Sequence, residues 1–492
     1  MVEFGTLELN GQPVELEHLH LLSTGLGKVR LGPAVQERIQ KSRENLLRHV
    51  SEGRQIYGTN TGVGALFTLR VPESEQPALS KNIVLSHACG VGEPLMARTV
   101  RAIMFGAICN LSQGYSGVRL DLVERLADFL NHDLLPIVPG SGSIGSLTHM
   151  AHIGCALMGF GTCQLRGVDM TVAEALSEVD LEPLKLASGE GLSLVSGTPS
   201  IVGIGGVAAL KAQRLSDMAD LAASMSFEAL RANPDSLDPR VHEVRPHPGQ
   251  GAVARRMREF LEGSVLLSRD NLQDCLSLRT TPQVHGGSRQ TISRACDTLE
   301  MELNSATDNP LIFEDKVLSA CNAHGEPMAQ CLDNLTVALA ELGNISERRT
   351  DRLLNYRVNG LPPFLADNPG LQSGLMIPQY VSAYLVSESK VLSHPVSVDS
   401  IPMSAFQEDH VNMGTLSALM ALRVAINLEK ILAIELITAR AALRFLNPLS
   451  PSPRLQQAVD ILDSLVPPIT EDRMLGPDIT LLADYLGAGG SL

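Results

Sequence analysis

One stretch near the end of the chain, residues 411–446, carries apolar side chains on nearly every side of any helix that it forms. A helix without a polar face must be covered all round, either by its own chain or by another subunit. A second stretch, from Met328 onward, spaces its leucines every three or four residues, which is typical of an amphipathic helix. Residues 404–407 have the form of a capping box and predict a helix start there. Helices of this kind suit a bundle in a symmetric oligomer.

The composition agrees with a large helical protein. The chain has 492 residues, 44% of them apolar, with 11 Phe, 6 Tyr and no Trp, and scarce aromatics favour helices over sheets. The 39 basic and 54 acidic side chains give a net charge of −15, with no Lys/Arg cluster. This charge argues against a nucleic-acid groove and against an anionic membrane surface as partner. Charged side chains also interrupt the most apolar region, which excludes a simple membrane span there.

No Pro/Ser/Gly-rich linker divides the sequence, so we expect one continuous fold unit. Within it, residues 1–200 should form an N-terminal region of active-site loops and helices, and residues 201–492 a bundle of long helices. The eight cysteines stand singly, without a CxxC pair, which argues against a disulfide framework or a structural zinc site. The N-terminal segment does not have the pattern of a secretory signal. A cytoplasmic location is the expectation.

Two glycine-rich segments interrupt the helical background, at residues 57–64 and 139–146. Glycine at this density lets the backbone turn sharply or approach a ligand closely. Neither segment has the GxxxxGK[ST] pattern of a phosphate loop. Each by itself is typical of a surface turn. His149 and His152, just beyond the second segment, form an HxxH pair, but no third ligand is in view and we expect no metal site.

Further motifs change the interpretation of these segments when they are taken together. They are Leu85-Ser86-His87-Ala88-Cys89-Gly90, Gly114-Tyr115-Ser116-Gly117, Arg245-Pro246-His247-Pro248, Ser277-Leu278-Arg279, Asp308-Asn309-Pro310, Ser346-Glu347-Arg348-Arg349, Val398-Asp399-Ser400 and Gln407-Glu408-Asp409-His410. In order and spacing, and with the tyrosine loop at residues 57–64, they resemble the histidine/phenylalanine ammonia-lyase family of aromatic amino acid lyases. The histidine branch is the most similar, and the resemblance runs from about residue 50 to 445.

The resemblance implies a mainly α fold, a long antiparallel helix bundle with a loop-rich N-terminal active-site region. It also implies a homotetramer that binds a small-molecule substrate, with active sites built from the loops of three subunits. Members of this family eliminate ammonia with an electrophile, methylidene-imidazolone, which forms when an Ala-Ser-Gly tripeptide cyclises and loses water. The family loop reads Gly-Ser-Val-Gly-Ala-Ser-Gly-Asp-Leu-Ala-Pro-Leu.

The corresponding segment of this chain departs from the family loop and is about three residues shorter. Counting back from Ala151-His152 places Ser143-Ile144-Gly145 on the cyclising tripeptide, and Ile144 has no hydroxyl to lose as water. On this alignment no prosthetic group forms and the protein has no cofactor. An alternative alignment places Gly140-Ser141-Gly142 there, with a serine in the middle. Ordinary divergence of a loop would also explain the segment.

Other positions that line the family's substrate site have changed as well. Ser196 stands for Asn, Leu276 for Tyr, Ala323 for Phe and Phe406 for Asn. Three of these changes remove bulk and the fourth removes a polar group, so we expect a larger and more apolar pocket. Drift in a site that no longer functions is the other interpretation.

Several functional positions are retained. The resemblance makes Tyr57 the catalytic base, although a phenol with a pKa of about 10 needs nearby donors to act at neutral pH. It makes Arg279 the partner of the substrate carboxylate, for which a planar guanidinium is suited. His87 and Glu408 match positions that contact the side chain of histidine, and Gln273 is a further substrate-binding candidate. A structural tyrosine, a core ion pair for Arg279 and a helix-terminus role for Glu408 are the alternatives.

Without the electrophile, a tyrosine base alone should not deaminate histidine. The leading hypothesis is therefore a lyase, cyclase or isomerase that works by acid–base chemistry through Tyr57 on a substrate activated by its own carbonyl. The second is a conventional histidine or aromatic amino acid ammonia-lyase or aminomutase that uses Ser141, so that Ser141→Ala abolishes urocanate formation. The third is a non-catalytic tetrameric scaffold.

Overall fold

The computed structural model of the protein describes residues 5–492. The fold is mainly helical, with only short strands, so the predicted fold class is confirmed. The chain forms two compact units: the first comprises the residues up to Leu210 with Cys296–Asp333 and Pro395–Leu419, and the second comprises Lys211–Ala295, Asn334–His394 and Met420–Leu492. Each unit therefore draws on three separate segments of the chain. The expected division after residue 200 stays a prediction.

The first unit contains most of the shorter elements. Its helices are α1 Leu16–Ser23, α2 Pro33–Ser51, α3 Gln76–His87, α4 Ala97–Leu111, α5 Leu120–Asn131, α6 Leu147–Leu157, α7 Val172–Glu178 and α8 Glu190–Val195. Its strands are β1 Thr6–Leu9, β2 Lys28–Leu31, β3 Val91–Pro94, β4 Leu134–Pro136, β5 Pro139–Ser141, β6 Thr162–Leu165, β7 Val168–Thr171, β8 Leu311–Ile312 and β9 Val317–Leu318. Short 3₁₀ turns lie at Gly64–Leu66, Glu73–Glu75 and Ser404–Phe406.

The strands form small separate sheets. β1 and β2 pair in parallel, β3 pairs with β5 and β8 with β9 in antiparallel fashion, and β4, β6 and β7 form an antiparallel sheet in that order. In the β3–β5 pair, Val91 lies opposite Ser141 and Pro94 opposite Pro139. This pairing fixes the entry to the second glycine-rich segment.

The second unit is built from helices. Those within it are α10 Pro239–Glu243, α11 Pro248–Phe260, α12 Leu276–Arg279, α15 Tyr356–Asn359, α16 Met376–Leu392, α18 Pro453–Leu465 and α19 Gly476–Gly487, with 3₁₀ turns at Pro234–Leu237 and Pro363–Leu365. Four longer helices contribute residues to both units: α9 Pro199–Ala229, α13 Thr281–Leu303, α14 Glu326–Leu354 and α17 Gly414–Arg444.

The two long helices expected from the sequence are present as α14 and α17. Most of α17 is buried, including its charged Glu435, which is 0% exposed. Glu435 accepts hydrogen bonds from Ser226 at 2.8 Å and Ser346 at 2.6 Å, and it pairs with the fully buried Arg349. These partners stabilise the charged Glu435 side chain inside the protein. A buried carboxylate without partners would lower the free energy of unfolding by roughly several kcal/mol.

The capping box expected at residues 404–407 is wrong. The helix begins at Gly414, and Ser404–Phe406 forms a separate 3₁₀ turn. Ser404, Ala405 and Phe406 have φ values of 50°, 52° and 65°, in the left-handed region that non-glycine residues rarely adopt. The Ser-x-x-Gln pattern therefore marks a strained turn, not a helix start.

One helical stretch in residues 5–492, Glu190–Ala229, is long and apolar enough to cross a membrane by length and composition alone. Within its apolar window 89% of the residues are buried inside the protein. Burial of this extent is typical of a core helix.

Candidate active site

The loop that carries Tyr57 follows α2 and is held by its own polar side chains. The Asn60 side chain accepts a hydrogen bond from Ile56 N at 2.8 Å and donates to the Arg54 carbonyl at 2.8 Å. Gly58 has a φ of +64°, and a Cβ at this position would collide with the side chain of Leu192 in α8. The glycine is therefore required by both the backbone conformation and the close approach of α8.

The Tyr57 hydroxyl accepts a hydrogen bond from the backbone N–H of Gly64 at 2.7 Å. This is the kind of donor that the sequence led us to expect, because it stabilises the phenolate. Burial nevertheless raises the pKa of Tyr57 above its ordinary value, and the nearby Glu408 and Cys321 side chains raise it further. The hydrogen bond from Gly64 lowers the pKa but does not offset these effects. Tyr57 therefore holds its proton more tightly than a free phenol does.

The strained turn at Ser404–Phe406 brings Glu408 to Tyr57. The Ser404 hydroxyl accepts a hydrogen bond from Ala65 N at 3.1 Å, which ties this turn to the tyrosine loop. Met403 and Glu408 exchange backbone hydrogen bonds of 2.9 and 3.3 Å across the turn. The dipole of α17 acts on charges at its first turn, which begins at Gly414. Glu408 precedes that turn, so the dipole does not explain its position.

A pair of histidines that the sequence did not single out lies in the same unit. The rings of His324 and His410 stack with 5.5 Å between their centroids, and Nε2 of His324 is 3.5 Å from Nδ1 of His410. His324 follows the predicted pocket residue Ala323, which is half-buried. His410 ends the Gln407-Glu408-Asp409-His410 motif and His324 follows Ala323, and these positions were the only signal for the pair in the sequence.

His87 lies in the last turn of α3, half-buried. Its Nδ1 is 2.7 Å from the Ile83 carbonyl, which can only accept, so we assign the ring proton to Nδ1. Nε2 is then an acceptor. This orientation suits a substrate group that donates a hydrogen bond.

Three predicted substrate-binding residues belong to the second unit: Gln273, Leu276 and Arg279. Arg279 Nε donates to the Asp274 carbonyl at 3.0 Å, and the amide oxygen of Gln273, as assigned from its hydrogen bonds, accepts from Arg279 Nη1 at 3.2 Å. The structure therefore brings Gln273 and Arg279 together, as amide and guanidinium. The core ion pair considered as the alternative for Arg279 is replaced by these neutral acceptors. Leu276 is 61% exposed.

The other two altered pocket positions, Ser196 and Phe406, differ in their surroundings. Ser196 is buried at the end of α8, and its hydroxyl, with those of Ser116 and Ser193, acts to lower the pKa of Asp308. Burial outweighs these hydroxyls and raises the pKa of the Asp308 carboxyl. Phe406, in contrast, is 79% exposed on its strained turn.

The second glycine-rich segment corresponds to the family loop that matures into methylidene-imidazolone. Gly140 and Ser141 lie in β5, whose extended backbone holds the first carbonyl and the third nitrogen of the tripeptide apart. Gly140-Ser141-Gly142 therefore does not fit the group. Ser143-Ile144-Gly145 does not fit it either, because Ile144 has no hydroxyl.

The same segment, compared from its N-terminal side, gives another match. Residues 142–145 repeat the family's Gly-Ser-Val-Gly with Ile in place of Val, and Ser146 follows. Ser146 is the buried N-cap of α6, with φ −99° and ψ −11°. Counted from this side, Ser146-Leu147-Thr148 falls on the family's Ala-Ser-Gly, and Leu147 has no hydroxyl to lose, so none of the three tripeptides fits the group.

The HxxH pair lies on α6, as expected. Burial lowers the pKa of His149 to about 4, and burial also lowers the pKa of His152, whose Nε2 accepts from Gly90 N at 3.2 Å. In the part of the chain that the structure describes, no group of three or more His, Cys, Asp or Glu side chains is placed to hold a metal ion. His152 thus ties Gly90, the residue before β3, to α6.

Comparison with known proteins identifies what this architecture is similar to. The sequence profile of the aromatic amino acid lyase family matches residues 14–464. A histidine ammonia-lyase of Symbiobacterium thermophilum is 45% identical over 470 residues, which cover 94% of this chain and 93% of the relative. The crystal structure of histidine ammonia-lyase from Trypanosoma cruzi has a TM-score of 0.92 and 38% identity over 99% of this chain and 94% of that one. Tyrosine aminomutase from Streptomyces globisporus has a TM-score of 0.95 and 34% identity over 98% and 97% of the two chains.

These relatives overturn the leading hypothesis from the sequence. A lyase, cyclase or isomerase that works through Tyr57 on a substrate activated by its own carbonyl is wrong as the function, because relatives at this identity over nearly the whole chain are histidine ammonia-lyases. The departure at Ile144 is confined to one loop, whereas the identity to these relatives extends over nearly the whole chain. The same relatives support the second hypothesis. With the profile match and the full-length identity, the chain belongs to the aromatic amino acid lyase family.

Proposed function

We propose that this protein is a histidine ammonia-lyase, which converts histidine to urocanate and ammonia. The observation that carries the proposal is the 45% identity to a histidine ammonia-lyase over 94% of the chain. The retained Tyr57, Glu408, His87 and Arg279 support it. The lower identity to the tyrosine aminomutase, 34%, makes an aminomutase the weaker candidate.

In this proposal Tyr57 removes the β-proton of the substrate. The hydrogen bond from Gly64 N stabilises the phenolate that must form first, whereas burial opposes it. The reactive form of Tyr57 is therefore populated mainly at alkaline pH. A bound substrate ammonium group beside the phenolate would favour the charged form further.

The remaining retained groups orient the substrate. Arg279 pairs with the carboxylate, and its contacts with the Asp274 carbonyl and Gln273 fix the plane of the guanidinium. His87 presents Nε2 as an acceptor, and Glu408 adds a negative charge, so both suit the imidazole of histidine.

The methylidene-imidazolone group, where it forms, supplies an electrophile that accepts electrons from the substrate and turns ammonia into a leaving group. None of the tripeptides that the alignments place on the cyclising position fits this group. The prediction from Ile144 that the group is absent stays a prediction.

The altered pocket positions, Ser196, Leu276, Ala323 and Phe406, are proposed to enlarge the substrate pocket and make it more apolar. If so, the enzyme discriminates less sharply between histidine and larger amino acids. Rates with histidine, phenylalanine and tyrosine, measured side by side, test this. A strict preference for histidine would remove the proposal for the pocket and leave the lyase assignment in place.

A homotetramer in the cytoplasm completes the proposal. One face of α16 exposes Ile377, Tyr380, Tyr384 and Val391, at 51%, 61%, 65% and 74%. An apolar stripe of this kind on a helix supports a subunit interface. All eight cysteines are free thiols, which supports a reducing compartment.

The decisive experiment incubates the purified protein with histidine and follows urocanate by its ultraviolet absorbance and ammonia by an enzymatic assay. Tyr57→Phe should remove the activity, and Tyr485→Phe is the matched control, since the Tyr485 hydroxyl only donates to the Ser491 carbonyl. Absence of both products with every amino acid tried, from a folded tetramer, would favour the non-catalytic scaffold instead.

A further inference from the structure

A cavity of about 200 Å³ lies in the first unit, apart from the candidate active site. The segment between β1 and α1, the middle of α2 and the end of α4 enclose it. Within residues 5–492, none of the substrate-binding candidates lines this cavity. Pockets for drug-sized ligands hold about 300–1,000 Å³, so a cavity of this volume suits a smaller molecule.

Asn304 fixes the wall that the segment before α1 supplies. Its side-chain amide accepts a hydrogen bond from Val14 N at 2.7 Å and donates one to the Val14 carbonyl at 2.7 Å. The Gln12 amide donates to the Glu8 carbonyl at 2.7 Å and accepts from Asn10 N at 3.2 Å. This wall is therefore formed before any ligand binds, which reduces the cost of ordering the site on binding.

The Ser112 hydroxyl is a buried polar group in the wall of the cavity. Ser112 follows the last residue of α4 and is only 3% exposed. In the part of the chain that the structure describes, its Oγ makes no hydrogen bond. A buried hydroxyl without a partner is unfavourable, because it loses its hydrogen bonds to water and gains none in exchange. A ligand oxygen in the cavity would accept the hydrogen bond that this hydroxyl can donate.

Arg38 gives the cavity a positive charge. Its side chain is exposed on α2 and lines the cavity. Among the described residues that line the cavity, Arg38 is the only charged one, so no acidic side chain there neutralises it. A guanidinium donates two parallel hydrogen bonds to a carboxylate. One unneutralised guanidinium therefore favours a ligand with a single carboxylate.

The rest of the wall is apolar. Leu9, Val14 and Val35 line it and are 4%, 7% and 1% exposed. Cys109 lies beside them, and burial raises the pKa of its thiol, so this side chain is neutral and behaves as a small apolar group. Apolar side chains next to one cation suit a short hydrocarbon chain that ends in a carboxylate.

We propose that this cavity binds a short aliphatic carboxylate. Arg38 and the Ser112 hydroxyl donate hydrogen bonds to the carboxylate oxygens, and Leu9, Val14 and Val35 surround the hydrocarbon chain. The inference goes beyond the proposed function, since the cavity is lined by none of the residues assigned to the substrate there. It does not depend on which amino acid the enzyme deaminates.

The test titrates the purified, full-length protein with butyrate in an isothermal titration calorimeter. Butyrate should bind saturably. Butyramide, which has the same chain without the charge, should bind at least about tenfold more weakly, because it loses the hydrogen bonds between two charged groups. Equal binding of the two probes, or no saturable binding of butyrate, overturns the proposal.

Three variants locate the site. Arg38→Met should weaken butyrate binding at least about tenfold, and Ser112→Ala about 2- to 10-fold. Lys41→Met removes a charge from an exposed position on the same helix outside the cavity and should leave the affinity unchanged. Arg38 is exposed and the Ser112 hydroxyl has no partner to lose, so these variants should fold, as circular dichroism checks. Unchanged affinity in Arg38→Met overturns the proposal.

One further variant separates this cavity from the proposed substrate site. A carboxylate bound at the substrate site would depend on Arg279. Arg279→Met should therefore retain a saturable butyrate site, and the double variant Arg38→Met/Arg279→Met should lose it. Absence of a butyrate site in Arg279→Met overturns the proposal, whereas the effect of this variant on urocanate formation concerns the proposed function alone.

Discussion

At the scale of single residues, Tyr57 shows how a retained side chain acquires its properties from its surroundings. The donor expected from the glycine-rich loop is present as Gly64 N–H. Burial and Glu408 nevertheless hold the pKa of Tyr57 above its ordinary value. The identity of the residue was readable from the sequence, but the direction of its pKa shift was not, because Glu408 is more than three hundred positions away in the chain.

The first prediction concerns this tyrosine. Tyr57→Phe should lower kcat by about 10²- to 10⁴-fold, the usual contribution of a general base. In the unaltered enzyme, kcat/KM should rise from neutral to alkaline pH, since only the deprotonated phenol accepts a proton. A pH profile of urocanate formation measures both.

The second prediction concerns Glu408→Gln, which should shift the pH profile of kcat/KM. Because the charge of Glu408 raises the pKa of Tyr57, its removal should move the alkaline limb of the profile to lower pH, even where substrate binding is weakened. A profile that does not change with pH would contradict Tyr57 as the base.

At the scale of elements, buried polar groups show where helices depend on one another. His149 on α6 is 0% exposed, and burial lowers its pKa to about 4 from the value of about 6.5 in an unfolded chain. Between about pH 4 and pH 6.5, His149 therefore binds a proton in the unfolded chain but not in the folded protein. Stability is fully present above about pH 6.5 and is lost as the pH falls toward about 4.

The expected loss from His149 is about 3 kcal/mol of unfolding free energy across this range. Urea denaturation at several pH values measures it. His149→Leu should flatten the acid slope, whereas the exposed His247→Leu should leave it unchanged. Burial also lowers the pKa values of His152, His242 and His285, so part of the acid sensitivity should remain in this variant.

The pair between Arg349 of α14 and Glu435 of α17 gives a prediction for stability. Both side chains are 0% exposed, so Arg349→Met should cost about 3–5 kcal/mol by leaving a buried carboxylate unpaired. The double variant Arg349→Met/Glu435→Leu should lose much less.

Arg423→Met is the matched control for that pair. Arg423 is 52% exposed and lies 3.1 Å from Glu388, so its loss should cost about 0–1 kcal/mol. Equal losses at the buried and exposed pairs, in chemical denaturation, would contradict the argument.

At the scale of the whole molecule, the exposed apolar face of α16 has the properties of an interface. Tyr380 and Tyr384 are one helical turn apart and both more than half exposed. Tyr380→Asp/Tyr384→Asp should therefore convert a tetramer to smaller species in light scattering. Met474→Asp, at an isolated side chain that is 84% exposed, should not. A tetramer that survives the double substitution would place the interface elsewhere.

The sequence by itself determined the family, the helical class, the two long helices and the retained Tyr57 and Arg279, because these depend on local periodicity and on motifs of fixed spacing. Residues 404–407 show the limit, since one local pattern serves both a capping box and a strained turn. Only the tertiary structure decided which groups contact the loop before α6. Gly145, Thr415 and Ser200 lie far apart in sequence, and their hydrogen bonds exist only once the chain has folded.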